Sequence, residues 1–200
     1  MYNILCVTNR LLCKDNFLKR IEKIADCRPS GIMLREKDLT EADYEELAKE
    51  VIKICKNRKV LCVLHGFAGV ASRLKCPALH LPLDTLRTLP KNVTNKFSVL
   101  GASCHSLNDA SEAESLGCTY ITAGHIFDTD CKRGLPGRGT EFLKEICDKI
   151  SIPVYAIGGI TPENISMVKA SGAAGAFVMS SVMTAEDVGE YLGRFYSKRQ

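Results

Sequence analysis

The feature that most restricts this chain is an alternation repeated eight times in 200 residues: a short apolar run, then a segment with apolar residues at helical spacing. The apolar runs fall at residues 3–9, 31–37, 59–64, 78–81, 98–104, 120–124, 152–157 and 175–179. The helical segments between and after them fall at 16–25, 40–56, 68–74, 85–89, 108–116, 140–150, behind Pro162, and at 185–196. Local signals support several boundaries. Thr40 precedes early acids as a cap, Gly117 ends a helix, Thr140 caps the next, and Pro162 suits a first helical turn. Continuous apolar strands joined by helices are buried on both faces, which predicts a parallel sheet closed as a single (β/α)₈ TIM barrel over residues 1–200. A doubly wound open sheet is the rival, and the glycine fingerprint expected after its first strand is absent.

Two compositional facts bear on function. The net charge is +4, with Lys and Arg spread along the chain rather than clustered among aromatics, which argues for a small anionic ligand and against nucleic acid. Ten cysteines include no Cys-x-x-Cys pair, and Cys6, Cys62 and Cys104 lie inside apolar runs, so they read as small buried hydrophobes and not as a zinc site. No basic-then-apolar leader pattern follows Met1, and no apolar run reaches the roughly 18 residues of a membrane span. A cytoplasmic protein without membrane partners is expected. A homo-oligomer is left open, because no single apolar face marks an interface.

In a barrel, functional groups collect at the C-terminal ends of the strands. Here those ends carry Thr8 and Asn9, Arg35 and Lys37, His65, Ser103 and His105, His125, Gly158 and Gly159, and Ser180 and Ser181. The richest loop, residues 124–139, follows the sixth strand and offers an imidazole, hydroxyl and carboxylate groups, a thiol, cations and glycines. Gly158-Gly159 and Ser180-Ser181 follow the last two strands, where barrels commonly hold phosphate on main-chain N–H groups.

Four collinear stretches carry a family resemblance: Leu34-Arg35-Glu36-Lys37, residues 101–106, the Gly-x-Ile-Phe-x-Thr-x-x-Lys pattern from Gly124 to Lys132, and residues 156–164. Together they resemble the thiamine phosphate synthase superfamily. The resemblance implies one of two activities. Synthases couple a hydroxymethylpyrimidine diphosphate to a thiazole phosphate with magnesium; TenI-type tautomerases aromatise a thiazole phosphate carboxylate without metal. Where synthases resemble one another in Asn-Asp-Arg, this chain reads His65-Gly66-Phe67, and Thr85 stands where a second carboxylate would fall, with Asp84 one residue away. Met33 replaces the glutamine that usually precedes Leu-Arg-Glu-Lys. His125, Thr129-Asp130-Cys131-Lys132 and Pro136-Gly137-Arg138-Gly139 are similar to the tautomerase branch, whereas Asp128 departs from the proline of both.

The expectation is therefore a metal-free thiazole tautomerase with no cofactor. His125 is its acid/base residue, since imidazole accepts and donates protons near neutral pH. Gly158, Gly159, Ser180 and Ser181 are expected to hold the phosphate, and Arg35, Lys37 or Lys132 the carboxylate, with Ser103 and Thr129 adding hydrogen bonds. His80 and His105 read as rim or structural residues. Cys131, beside Lys132, has no role in a proton shift. Two alternatives stand: a magnesium-dependent thiamine phosphate synthase, and a non-catalytic binder of thiazole phosphate.

Overall fold

The computed structural model describes residues 2–129, 132 and 134–196. Strands β1 (Asn3–Val7), β2 (Gly31–Leu34), β3 (Leu61–His65), β4 (Ala78–Pro82), β5 (Val99–Cys104), β6 (Tyr120–Gly124), β7 (Val154–Ile157) and β8 (Gly175–Val178) pair in parallel in sequence order. β8 then pairs with β1 and closes the barrel. The expected (β/α)₈ fold is present, with every strand where an apolar run stood.

The helices are α1 (Phe17–Asp26), α2 (Glu41–Arg58), α3 (Ala68–Arg73), α4 (Leu83–Thr88), α5 (Lys91–Thr94), α6 (Leu107–Ser115), α7 (Gly139–Lys149), α8 (Ile165–Ala170), α9 (Ser180–Thr184) and α10 (Val188–Tyr196). Asn16 and Thr40 cap α1 and α2, each side chain accepting from an amide three residues on. Two expected starts are corrected. Thr140 is not a cap: α7 begins at Gly139, because the Arg138 and Gly139 amides donate to the His125 and Ile126 carbonyls and fix the entry through the backbone. Pro162 lies ahead of α8 rather than in it. Asn164 accepts from the Thr161 amide at 2.9 Å and turns the chain before the helix starts at Ile165.

Alternation along each strand builds two apolar layers. Ile4 and Cys6 of β1 face the helices, while Leu5 and Val7 enter the barrel with Met33, Val63, Ala78, Tyr120 and Phe177. Cys6, Cys62 and Cys104 are buried in the outer layer with free thiols, as their sequence context implied. Burial pushes the Cys104 thiol up to about 12, which keeps it unreactive. Inside, His80, Gly101 and Tyr120 lie in register on β4, β5 and β6. A Cβ on Gly101 would stand 2.1 Å from the Tyr120 ring, so the bare glycine lets that ring cross towards His80. Among the described residues no helix is long and apolar enough to cross a membrane.

Candidate active site

The C-terminal ends of the strands surround a cavity of about 490 Å³, and every residue expected to bind substrate or move a proton lines it. Thr8 and Asn9 do not: Thr8 bonds Glu36 and the Arg35 amide, and Asn9 accepts from the Leu11 amide. Its floor is the top of the barrel interior, including Val7, His65, Thr122 and Phe177. Thr122 carried no sequence signal beyond its strand.

On the β2 side, side chains alternate between cavity and scaffold. Arg35 and Lys37 line the cavity, while Glu36, 2 % exposed, accepts from the Thr8 hydroxyl at 2.6 Å. Both Glu36 oxygens also accept from the Arg10 amide, at 3.1 and 3.0 Å. Thr8 Oγ1 in turn accepts from the Arg35 amide at 3.0 Å. A buried carboxylate thus holds the backbone that aims the two cations. Desolvation depresses the Lys37 pKa first, and the nearby charges of Arg35 and Lys132 depress it further. Three cations crowded about one cavity are complementary to a polyanion.

On the β7 side, Gly158 and Gly159 have φ of 97° and 65°. A Cβ on Gly158 would stand 2.3 Å from the His125 Cβ, and one on Gly159 2.5 Å from the Asp128 carbonyl. The Ile126 and Phe127 amides donate to the Ile157 and Gly158 carbonyls at 3.0 and 3.1 Å. These glycines therefore serve close docking of the β6 and β7 loops as well as lining the cavity. Asn164 completes the turn by donating to the Gly159 carbonyl at 2.8 Å. Sequence reasoning quoted Asn164 only within the family motif and gave it no role. Ser180 and Ser181 open α9, and the Tyr191 hydroxyl donates to Ser181 Oγ at 2.5 Å, leaving the Ser181 proton to donate onward.

The β6 loop carries His125, Thr129 and Lys132. Its residues Asp130, Cys131 and Arg133 lie outside the described residues, and so does any reading of the Cys131 thiol. His125 Nε2 lies 3.2 Å from the Leu135 carbonyl. A carbonyl only accepts, so Nε2 carries the proton and Nδ1 is the acceptor in the neutral ring. Asp128, the departure from the family pattern, accepts from the Gly137 amide at 2.7 Å and ties the two limbs of the loop together. Asp128→Ala is expected to raise hydrogen exchange at the Gly137 amide by about tenfold, as loss of one charge-assisted bond implies. Unchanged protection would show that the loop is held elsewhere.

The remaining histidines divide. His105 Nδ1 pairs with the Gly124 carbonyl at 2.9 Å at the rim. His65 is nearly buried, and desolvation with the charges of Arg35 and Lys37 drops its pKa to about 3, so it is neutral. His80 is not at the rim: it is enclosed in the barrel between Tyr120 and Ser103.

A magnesium ion, which resemblance to synthases implies, needs hard oxygen donors in octahedral array. Glu36 is committed to Thr8 and Arg10, and Asp84 points outward in a pair with Arg87, its side chain 91 % exposed. Asp128 is the only carboxylate lining the cavity among the described residues, and it holds Gly137. No group of three or more His, Cys, Asp or Glu among the described residues is arranged to hold a metal. Among the described residues the donor set does not fit a resident magnesium site.

Comparison with known proteins identifies relatives along nearly the whole chain. The family model described as thiamine monophosphate synthase matches residues 4–182. The putative thiamine-phosphate synthase 2 of Aquifex aeolicus is 36 % identical over 169 residues, covering 84 % of this chain and 91 % of the relative. Thiamine-phosphate synthase 2 of Streptococcus pneumoniae is 34 % identical over 184 residues, covering 91 % of this chain and 88 % of the relative. The solved thiamine phosphate pyrophosphorylase from Pyrococcus furiosus superposes with a TM-score of 0.84 at 27 % identity, covering 98 % of this chain and 94 % of that one.

The expected thiazole tautomerase is corrected by these relatives, two named thiamine-phosphate synthases and one a thiamine phosphate pyrophosphorylase. The inference had rested on the likeness of His125 and the 129–139 loop to the tautomerase branch and on missing magnesium carboxylates. That absence does not discriminate between the two reactions, because Arg35, Lys37 and Lys132 already supply positive charge at the cavity.

Proposed function

The chain belongs to the thiamine monophosphate synthase family, and from that premise we propose that it is a thiamine-phosphate synthase, a transferase of thiamine biosynthesis. It would join a hydroxymethylpyrimidine diphosphate to a thiazole phosphate. The observation that carries the reading is the cation cluster Arg35, Lys37 and Lys132 on one cavity with Gly158, Gly159, Ser180 and Ser181. A single cavity with both features suits two substrates, each ending in phosphate.

In the reaction the bond from the pyrimidine methylene carbon to the diphosphate oxygen breaks, and pyrophosphate leaves with the electron pair. The thiazole ring nitrogen supplies the pair for the new carbon–nitrogen bond. Negative charge grows on the departing oxygen, so fixed cations lower the barrier most when they bear on that oxygen. Arg35, Lys37 and Lys132 take that role, and neutralising the diphosphate falls to this chain's own cations. Gly158 and Gly159 amides with the Ser180 and Ser181 hydroxyls hold the thiazole phosphate, which orients the ring nitrogen for attack. Thr129 contributes a hydroxyl beside Lys132. His125 has no proton to move in this coupling; with Nε2 bonded to Leu135, its Nδ1 is an acceptor for a ring substituent.

The test is a coupling assay with purified protein and both substrates, followed by chromatography. Thiamine phosphate should accumulate only when both are present. Saturable thiazole phosphate binding without product would instead make the protein a binder.

A further inference from the structure

Buried inside the barrel is a polar chain that the coupling chemistry does not use. His80 Nδ1 lies 2.9 Å from the Tyr120 hydroxyl, and His80 Nε2 lies 2.9 Å from Ser103 Oγ. His80 is 2 % exposed and Tyr120 6 %, whereas Ser103 lines the cavity. Burial drives the His80 pKa well down, so the ring is neutral, with one donor and one acceptor nitrogen. Two arrangements are then possible. If Nδ1 donated to Tyr120, the tyrosine proton would have no acceptor inside the barrel, because His80 is the sole hydrogen-bond partner of that hydroxyl among the described residues. A buried donor without an acceptor is strongly disfavoured. In the other arrangement Tyr120 donates to Nδ1, Nε2–H donates to Ser103, and the Ser103 proton points to the one place with acceptors, the cavity. Every group is satisfied.

We propose that Tyr120 and His80 form a fixed hydrogen-bond relay that makes Ser103 a one-way donor into the cavity, selecting a ring nitrogen acceptor on a substrate. Ser103 stands on β5, three strands from Arg35 and Lys37 after β2 and two or three from the glycine and serine pairs after β7 and β8, which leaves the ring as its partner. Lys132, on the β6 loop, is the one cation of the cluster on a neighbouring strand end, and the pyrophosphate measurement below separates the two partners. Gly101 is the third element of the device. Its missing side chain is the gap through which the Tyr120 hydroxyl reaches across β5 to β4. His80 and Tyr120 are positioning residues, and Ser103 touches the substrate. The assignment rests on the proposed coupling only for the identity of the ring.

The first test does not need turnover. Long-range proton–nitrogen NMR of uniformly ¹⁵N-labelled protein, with the signal assigned by its loss in His80→Asn, should show His80 as the Nε2–H tautomer and unchanged between pH 5 and pH 8, a window about the ordinary histidine pKa. An Nδ1–H tautomer or a titrating ring would overturn the relay. The second test is a double-mutant cycle on kcat/KM for coupling. Ser103→Ala should cost about tenfold or more, Ser103→Thr should recover most of it, and Tyr120→Phe should cost about threefold to tenfold. Tyr120→Phe should add nothing in the Ser103→Ala background, because both changes remove one interaction. Additive losses would mean that Tyr120 does not act through Ser103. Inorganic pyrophosphate should bind Ser103→Ala as tightly as the unmodified protein, and a tenfold loss there would move the partner from the ring to phosphate. If the unmodified protein does not couple, the NMR result still decides the relay while the synthase reading fails separately.

Discussion

Arg35→Ala is expected to lower kcat/KM for coupling by about 100- to 1,000-fold, the range seen when one preorganised donor to developing negative charge is removed. The unfolding midpoint should barely move. The Arg35 backbone is held independently of its side chain, by donation of its amide to Thr8 and through Thr8 to Glu36. Arg35→Lys should recover only part of the activity, since a point charge does not reproduce the planar fork that grips a diphosphate. Steady-state kinetics with each substrate varied in turn separates the effects, and the loss should concentrate on the pyrimidine diphosphate. A loss under threefold would place the leaving group elsewhere in the cavity. Lys37 adds a pH sign. Its pKa is depressed by burial and by Arg35 and Lys132, and only its charged form attracts the anion, so its contribution to affinity fades as pH rises through that lowered value.

The second large effect is expected at Gly159. Alanine there must occupy a left-handed conformation at φ 65° and bring its Cβ within 2.5 Å of the Asp128 carbonyl and 2.8 Å of the Phe127 Cβ. Backbone cannot yield as a flexible side chain does, so the β6 and β7 loops must separate. The cost should reach about 2–4 kcal/mol, an overpacking term added to the left-handed penalty. Activity should fall with it, because the same two loops carry His125, Thr129, Gly158 and Gly159. Gly117→Ala is the matched control. Its φ is 92° with nothing within 4 Å, so only the backbone penalty of about 1–2 kcal/mol applies, with coupling unchanged. Denaturant unfolding and kinetics on the pair decide this. Equal destabilisation at the two sites would show that loop contact is not what requires Gly159.

Much of this is legible in the sequence alone. Parallel strands buried on both faces leave uninterrupted apolar runs, and eight of them in sequence order leave one closed solution. The rule that barrel chemistry gathers at strand ends then brought Arg35, His125, Gly158 and Ser180 to one cavity across more than a hundred residues of sequence. Elements α5 and α9 escaped because a helix of four or five residues is too short to display a period. Thr140 misled because the entry to α7 is set by carbonyls of a distant loop.

Side-chain pairings were the least legible. His80, Gly101 and Tyr120 are joined only by strand register, and no spacing in the chain announces that three residues on three strands share a layer. Asp128 looked anomalous beside the family pattern until its carboxylate was found on the Gly137 amide. The functional error has a similar origin. Loss of carboxylates, together with a histidine loop like that of the tautomerase branch, was read as a change of reaction, although the charge needed to hold a diphosphate depends on the whole cavity and not on one ligand set.

The measurement that bears most directly on the central claim is phosphorus NMR of purified protein with hydroxymethylpyrimidine diphosphate and thiazole phosphate, run with and without added magnesium. Thiamine phosphate and inorganic pyrophosphate should appear in equal amounts, and neither should form when one substrate is left out. Unchanged diphosphate and thiazole phosphate signals under both conditions, with protein shown to be folded, would contradict the synthase assignment.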